Sequence, residues 1–247
     1  MCRFIAYVGP PVELSALMLT PTHSLLQQAQ APKRQLFGIN NGDGWGVCWY
    51  ADGVVHHHRT ARPMWQDSAL TEIGSHVAGA FLAVVRSATP GLPIGEAHTP
   101  PFVRGSQAFA LNGAVSGFAE DPDPLRRLAS SLEDSPNAGT DSEILFSSVL
   151  ARMQTGSDAA EALEVTTRSV GRRFPDSRLN LVLHDGEKIA ATRWGNSLFV
   201  SRGEGVIVAS EPLDDEPGWE PVPERSLVEA TRAGSKISPM AREGVAR

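Results

Sequence analysis

A chain of 247 residues, 41% apolar and 20% charged, has ordinary globular composition and enough length to bury a substantial core. Its formal net charge of −6, with no basic tract, disfavours a nucleic-acid partner and is compatible with a small cationic ligand. No run approaches the ~20 apolar residues of a membrane span. Gly9-Pro10-Pro11 interrupts the apolar run after Arg3 before a signal-peptide core forms, so a cytoplasmic protein is expected.

In chain order, residues 2–8 read as a strand and Glu13 to Leu19 as a short helix presenting Leu14, Leu17 and Met18. Gln27 to Gln35 reads as a loop or frayed helix. Gly44 to Ala51 and Val54 to Thr60 are strand-like runs joined by Asp52-Gly53, a type I′ hairpin signal. A polar helix is expected near Asp67–Val77, then the apolar strand Ala80–Val85, then a strand from Gln107 to Leu111 stopped by Asn112-Gly113. Helices are expected from Pro124, capped by Asp123, from Thr140, and from Ser157-Asp158 to about Val170. Thr140-Asp141-Ser142-Glu143 is a capping box ahead of Ile144, Leu145, Val149 and Met153. Strands return at Leu179–His184, Lys188–Arg193, Leu198–Ser201 and Gly205–Ala209, with Asp185-Gly186 as a turn. A polar tail from about residue 228, helical at first and then loose, completes a single domain spanning 2–247. Strands, then helices, then strands suit two antiparallel sheets with helices outside, not a doubly wound parallel sheet.

The chain contains two cysteines, Cys2 and Cys48. Cys48, in Gly46-Val47-Cys48-Trp49-Tyr50, reads as a packed, inert thiol. Cys2 has a small side chain next to Met1, so removal of Met1 is expected and would leave a thiol beside a free α-amine. An unperturbed α-amine titrates near ~8 and a free thiol near ~8.5, so one residue can supply nucleophile and base together. The plain alternative is a buried cysteine in a strand.

Later segments add chemistry at strand ends. Val84-Val85-Arg86-Ser87-Ala88-Thr89-Pro90-Gly91 delivers an arginine at a strand exit, where a guanidinium can grip a carboxylate in bidentate fashion or simply reach solvent. Ala110-Leu111-Asn112-Gly113-Ala114 offers a side-chain amide beside a glycine N–H, an oxyanion-binding pair or an ordinary Asn-Gly turn. Asp141 in a first helical turn complements the helix dipole and can equally face a substrate ammonium.

These segments behind Cys2, in order and rough spacing, resemble the glutaminase domain of class II glutamine amidotransferases over most of the chain. Asn41-Gly42-Asp43-Gly44-Trp45-Gly46, Ala97-His98-Thr99-Pro100 and Ala209-Ser210-Glu211-Pro212 are softer matches. The resemblance implies an α+β fold, a four-layer αββα sandwich of two antiparallel sheets. It also implies that Cys2 attacks a γ-glutamyl carbonyl, with Arg86 and Thr89 on the α-carboxylate. Asn112 and Gly113 would form the oxyanion hole, and Asp141 would hold the α-ammonium. His98 belongs to one of the softer segments and is expected near the substrate.

The family's ammonia-channelling members typically read His-Thr-Arg-Trp-Ala-Thr-His-Gly where this chain reads Val84 to Gly91, so Ser87 and Pro90 depart and reshape the pocket beside Arg86. The opening Met1–Tyr7 and the single-domain layout look most like the γ-glutamyl amidohydrolases of ergothioneine biosynthesis. That family removes glutamate from a γ-glutamyl-cysteine conjugate of trimethylated histidine. This resemblance implies a small-molecule γ-glutamyl substrate, no cofactor and no obligatory synthetase partner, and leaves the oligomeric state open. Because aromatic faces hold trimethylammonium groups, Trp45 and Phe102 are expected pocket-lining residues. An amidotransferase subunit feeding a separate synthetase, a conjugated bile-acid hydrolase and a non-catalytic scaffold remain alternatives. His56-His57-His58 alternates faces in a strand and cannot converge on one ion, so no metal is expected.

Overall fold

The computed structural model describes residues 2–129 and 139–241. Two antiparallel sheets carry the fold. The first contains β1 (Arg3–Glu13), β2 (Trp45–Ala51), β3 (Val54–Thr60), β4 (Val77–Val85), β9 (Phe199–Arg202), β10 (Val206–Ala209) and β11 (Trp219–Pro221), in the order β11-β9-β10-β1-β4-β2-β3. The second contains β5 (Phe102–Arg104), β6 (Gln107–Ala114), β7 (Arg178–His184), β8 (Lys188–Arg193), β12 (Ser226–Thr231) and β13 (Gly234–Pro239), in the order β13-β12-β8-β7-β6-β5. Helices α1 (Ser15–Met18), α2 (Leu25–Gln30) and α3 (Leu70–Gly74) lie on the first sheet's side. Helices α4 (Asp123–Ala129), α5 (Asp141–Gln154) and α6 (Ala159–Arg173) lie on the second sheet's side.

The layers follow from strand alternation. Along β1, Phe4, Ala6 and Val8 face the second sheet and meet Ala108, Ala110, Val182 and Ala191 in the inter-sheet core. Ile5 and Tyr7 face outward and meet Leu14, Met18, Leu25 and Ala29 of the helical layer. Across the other sheet, Phe109, Leu111, Leu181 and Leu183 point outward onto Ile144, Leu145, Val149 and Leu163 of α5 and α6. Central strands are therefore buried on both faces and read as continuous apolar runs, as Ala80–Val85 does. The result is the four-layer αββα sandwich. No helix among the described residues is long and apolar enough to cross a membrane.

Local signals shaped several elements as expected. The α5 capping box forms: Thr140 Oγ1 accepts the Glu143 N–H at 3.3 Å and Glu143 Oε2 accepts the Thr140 N–H at 3.0 Å. Asp185 Oδ1 accepts the Glu187 and Lys188 N–H groups, closing the β7–β8 turn. The Asp52-Gly53 turn joins β2 to β3 in register from Ala51↔Val54 to Trp45↔Thr60.

Four expectations need correction. The polar tail expected from about residue 228 is instead the β12–β13 hairpin. Val228 and Ala230 enter the inter-sheet core while β12 pairs with β8, so two small apolar residues in a polar context outweigh its composition. Residues 242–247 lie outside the described residues. The strand through Leu111 does not stop at Asn112-Gly113 but runs to Ala114, because β7 supplies partners Asn180, Leu179 and Arg178. The helix expected near Asp67–Val77 shrinks to α3, since Val77 already pairs with Glu13 in the sheet. The frayed segment begins earlier, as α2, whose Ser24 side chain accepts the Gln27 N–H.

Candidate active site

Cys2 sits at the entry to β1, half-buried against the inter-sheet core. Strand β1 is flanked by β4 and β10, so the exits of both neighbours converge on it. From β4 comes Arg86; from β10 come Ser210 and Glu211; from the facing sheet, β6 brings Asn112 and Gly113. Loop residues and the start of α5 complete a cleft lined by Cys2, Arg86, Thr89, His98, Gly113 and Asp141, among others. Residues far apart in sequence thus share one wall because three strand ends meet there.

Arg86 is gripped by its backbone. Its N–H donates to Gly44 O at 2.8 Å, its carbonyl accepts the Asp43 N–H at 2.9 Å, and Asp43 Oδ2 accepts the Ala88 N–H at 2.8 Å. The Asn41–Gly46 stretch is therefore the brace of the arginine loop. Gly44 is required there: a Cβ would stand 2.7 Å from Thr60 O and 2.8 Å from Thr99 Oγ1. The buried Arg86 guanidinium donates through Nη2 to Pro93 O at 2.8 Å, while Nη1 is buried with no hydrogen-bond partner among the described residues. An unpaired buried donor on a cation is unfavourable, and an anionic ligand would satisfy it.

Asp141 is buried at the first turn of α5. Burial pushes its carboxyl above the usual range; N–H donors from Val115 (2.9 Å) and Ser142 (2.8 Å) and the charge of Arg86 oppose that rise. The cleft thus holds one cation and one carboxyl group, matched to an α-amino acid head. His98 places Nδ1 3.2 Å from Glu143 Oε2, so the capping box that starts α5 also orients this ring.

Asn112 faces the space between the sheets. Its Oδ1 lies 3.3 Å from Arg3 Nη1 and 3.4 Å from Asn196 Nδ2, and its Nδ2 donates to Ser210 Oγ at 3.2 Å. Arginine is donor-only, so the amide orientation is determined and its N–H face turns away from Arg3. Gly113 stands against β7: a Cβ there would lie 1.9 Å from Arg178 O. No other residue type permits this approach of the strands.

Beneath the site lies a charged anchor that sequence reasoning missed. Arg3 Nε donates to Glu211 Oε1 at 2.6 Å, and Arg3 Nη1 donates to the Cys2 carbonyl at 2.8 Å. Glu211 also accepts the Lys33 N–H (2.8 Å) and Arg34 N–H (3.0 Å) and lies 2.9 Å from His23 Nε2. Burial alone pushes the Glu211 carboxyl up, but His23, Arg3 and the Arg34 N–H outweigh it and hold it at about 2. Ser210 is equally structural: its Oγ accepts the Phe4 N–H at 3.1 Å and its own N–H donates to Phe4 O at 3.0 Å. A charged residue inside the apolar run Cys2–Val8 and a Ser-Glu pair at a strand exit were the available signals.

Two expected lining residues lie elsewhere. Trp45 is fully buried in the outer core beneath α1 and α2, its Nε1 donating to Asp67 Oδ2 at 3.0 Å, because β2 alternation turns it away from the inter-sheet space. Phe102 packs in the layer between the second sheet and α5, opposite Phe109. The remaining expected residues, Cys2, Arg86, Thr89, His98, Gly113 and Asp141, meet at the cleft, with Asn112 behind it. The histidine run takes separate partners: His58 lies 2.8 Å from Asp67 Oδ2 and His56 stacks on Trp49. Among the described residues no group of three or more His, Cys, Asp or Glu side chains gathers as a metal site would require.

An αββα sandwich with a cysteine at the start of a central strand defines an N-terminal-nucleophile-type hydrolase fold. Residues 20–204 match the model of the class II glutamine amidotransferases, and the chain belongs to that family of enzymes. It is 36% identical over 244 residues to the gamma-glutamyl-hercynylcysteine sulfoxide hydrolase of Mycobacterium tuberculosis, covering 98% of each chain. The protein of that name from Mycolicibacterium smegmatis is 35% identical over 97% of this chain and 100% of its own. Among solved structures, a glutamine aminotransferase class-II domain protein from Silicibacter pomeroyi superposes with a TM-score of 0.70 at 23% identity, covering 98% of this chain and 100% of that one, a likeness of fold.

Proposed function

We propose that the protein is a γ-glutamyl amidohydrolase that cleaves γ-glutamyl-hercynylcysteine sulfoxide to glutamate and hercynylcysteine sulfoxide. The observation that carries this reading is the pairing, beside Cys2, of an arginine with a buried unpartnered N–H face and a buried aspartate on the same cleft wall. That pair suits the zwitterionic head of a glutamyl group, with Arg86 on the carboxylate and Asp141 on the ammonium. The name carried by relatives at about a third identity over nearly the whole chain supports the leaving group.

Once Met1 is removed, the Cys2 α-amine accepts the thiol proton, directly or through water. The thiolate attacks the γ-carbonyl, and the Asn112 amide and Gly113 N–H stabilise the oxyanion. The protonated amine of the leaving group departs, and water hydrolyses the glutamyl thioester, returning the thiol and releasing glutamate. The anchored Cys2 carbonyl and the locked Asn112 amide give nucleophile and oxyanion donor a common rigid base through Arg3.

The test is glutamate release from the sulfoxide conjugate and from free glutamine side by side, with Cys2→Ala as control and intact mass to establish loss of Met1. The reading expects strong preference for the conjugate and no turnover by Cys2→Ala. Preference for glutamine, or retained Met1 in active protein, would overturn it.

A further inference from the structure

Beside the cleft, Gly113 has a neighbour of unusual character. Inward positions of β7 run Arg178, Asn180 and Val182; Val182 lies in the inter-sheet core, and Asn180 and Arg178 pair in register with Asn112 and Ala114. Arg178 is therefore the last inward side chain of its strand at the end of the sandwich where Cys2 enters. Its backbone carbonyl is the atom that forces residue 113 to be glycine. Gly113 lines the cleft that holds Arg86 and Asp141, and Arg178, whose carbonyl and Cβ face it, borders that cleft through Gly113.

The Arg178 guanidinium stacks on the Phe37 ring, 4.4 Å from its centroid. No hydrogen bond or ion pair engages that guanidinium among the described residues. Phe37 is itself 57% exposed and belongs to no core cluster. Its loop is tied down at one end, by Lys33 and Arg34 N–H groups on Glu211, and at the other by Asn41 on Ala29 O and Gln28 O. Between these ties the loop crosses from Arg178 to the arginine loop, where a Cβ on Gly38 would stand 3.5 Å from Ser87 Oγ. Stacking uses the face of a guanidinium and leaves its in-plane N–H donors unused. A preorganised, unpaired cation held by an otherwise exposed aromatic ring at the rim of a site is built to receive an anion.

We infer that Arg178, steadied by Phe37, reads the leaving group by binding the α-carboxylate of the amino acid whose nitrogen is acylated by the γ-glutamyl group. This deepens the proposed function and rests on it: in a γ-glutamyl-cysteine conjugate that carboxylate hangs from the carbon next to the scissile nitrogen, on the side away from the glutamyl head. The site thereby selects γ-glutamyl amino acids over glutamine, whose leaving group, ammonia, has no carboxylate. Arg178 acts on recognition and takes no part in proton or acyl transfer.

The test compares kcat/KM for γ-glutamyl-S-methylcysteine sulfoxide and for its α-carboxamide counterpart, in wild type, Arg178→Met, Arg178→Lys and Phe37→Ala. Loss of a charge-assisted, bidentate contact is worth about 10-fold or more in recognition. Wild type is expected to favour the free acid by at least about that factor. Arg178→Met should bring the acid-to-amide ratio near one through a rise in KM for the acid, with Arg178→Lys and Phe37→Ala intermediate. A merely structural role would lower both substrates together and leave the ratio intact, which would overturn the inference. So would a wild type indifferent to the carboxylate but active on both conjugates, a result that leaves the proposed function standing. Wild type that hydrolyses glutamine and neither conjugate would remove the proposed function and this inference with it.

Discussion

Replacing Glu211 by glutamine removes the negative charge from a fully buried carboxylate that Arg3, His23 and two backbone N–H groups surround. Glutamine keeps one acceptor oxygen but turns an NH2 group toward those donors, and it leaves the Arg3 cation buried without its counter-charge. The carboxyl is held at about 2 against an ordinary 4.5. About 2.5 pH units at ~1.4 kcal/mol each amounts to roughly 3–4 kcal/mol. Breaking a buried ion pair from one side typically costs 3–5 kcal/mol, which agrees. Because the folded-state value is depressed, this stabilisation is fully present above about pH 4.5 and fades as the pH falls through about 2. Urea unfolding at pH 7 should show the midpoint of Glu211→Gln lowered by the equivalent of roughly 3–4 kcal/mol, with the slope unchanged. The gap between variant and wild type should narrow as the pH is lowered from 5. A gap below 1 kcal/mol at pH 7, or one indifferent to acid, would refute the account of Glu211 as the anchor.

Two further outcomes follow from the site's packing and chemistry. Gly113→Ala drives a Cβ to within 1.9 Å of Arg178 O, so β6 and β7 must separate; hydrogen exchange should show weakened protection at that end of the pair, and wild-type protection would contradict the contact. Burial pushes the Cys48 thiol up to about 12, so alkylation of the folded protein near neutral pH should add one group, at Cys2; mass spectrometry finding Cys48 modified without unfolding would count against its packing.

What was legible in the residues by themselves follows a physical divide. Short-range signals determined what lies within a few residues: the Asp52-Gly53 and Asp185-Gly186 turns, the Thr140–Glu143 capping box and the boundaries of β8. Hydrophobic runs such as Ala80–Val85 announced strands covered on both faces. Cys2, Arg86, Asn112-Gly113 and Asp141 stood out because polar and charged side chains sit there at the ends of apolar runs or in a first helical turn. Tertiary structure alone decided what depends on pairing. Whether Asn112-Gly113 turned or ran on in a strand rested on β7, more than sixty residues downstream. Whether the polar segment after Leu227 was loose rested on the open edge of β8. The Arg3–Glu211 pair joins residues 208 positions apart, and Trp45 turned outward with its strand's pleat. No local pattern encodes which buried charge meets which, or which face of a strand looks into a cleft, because both are fixed by the register and stacking of the sheets, an energy shared across the whole core.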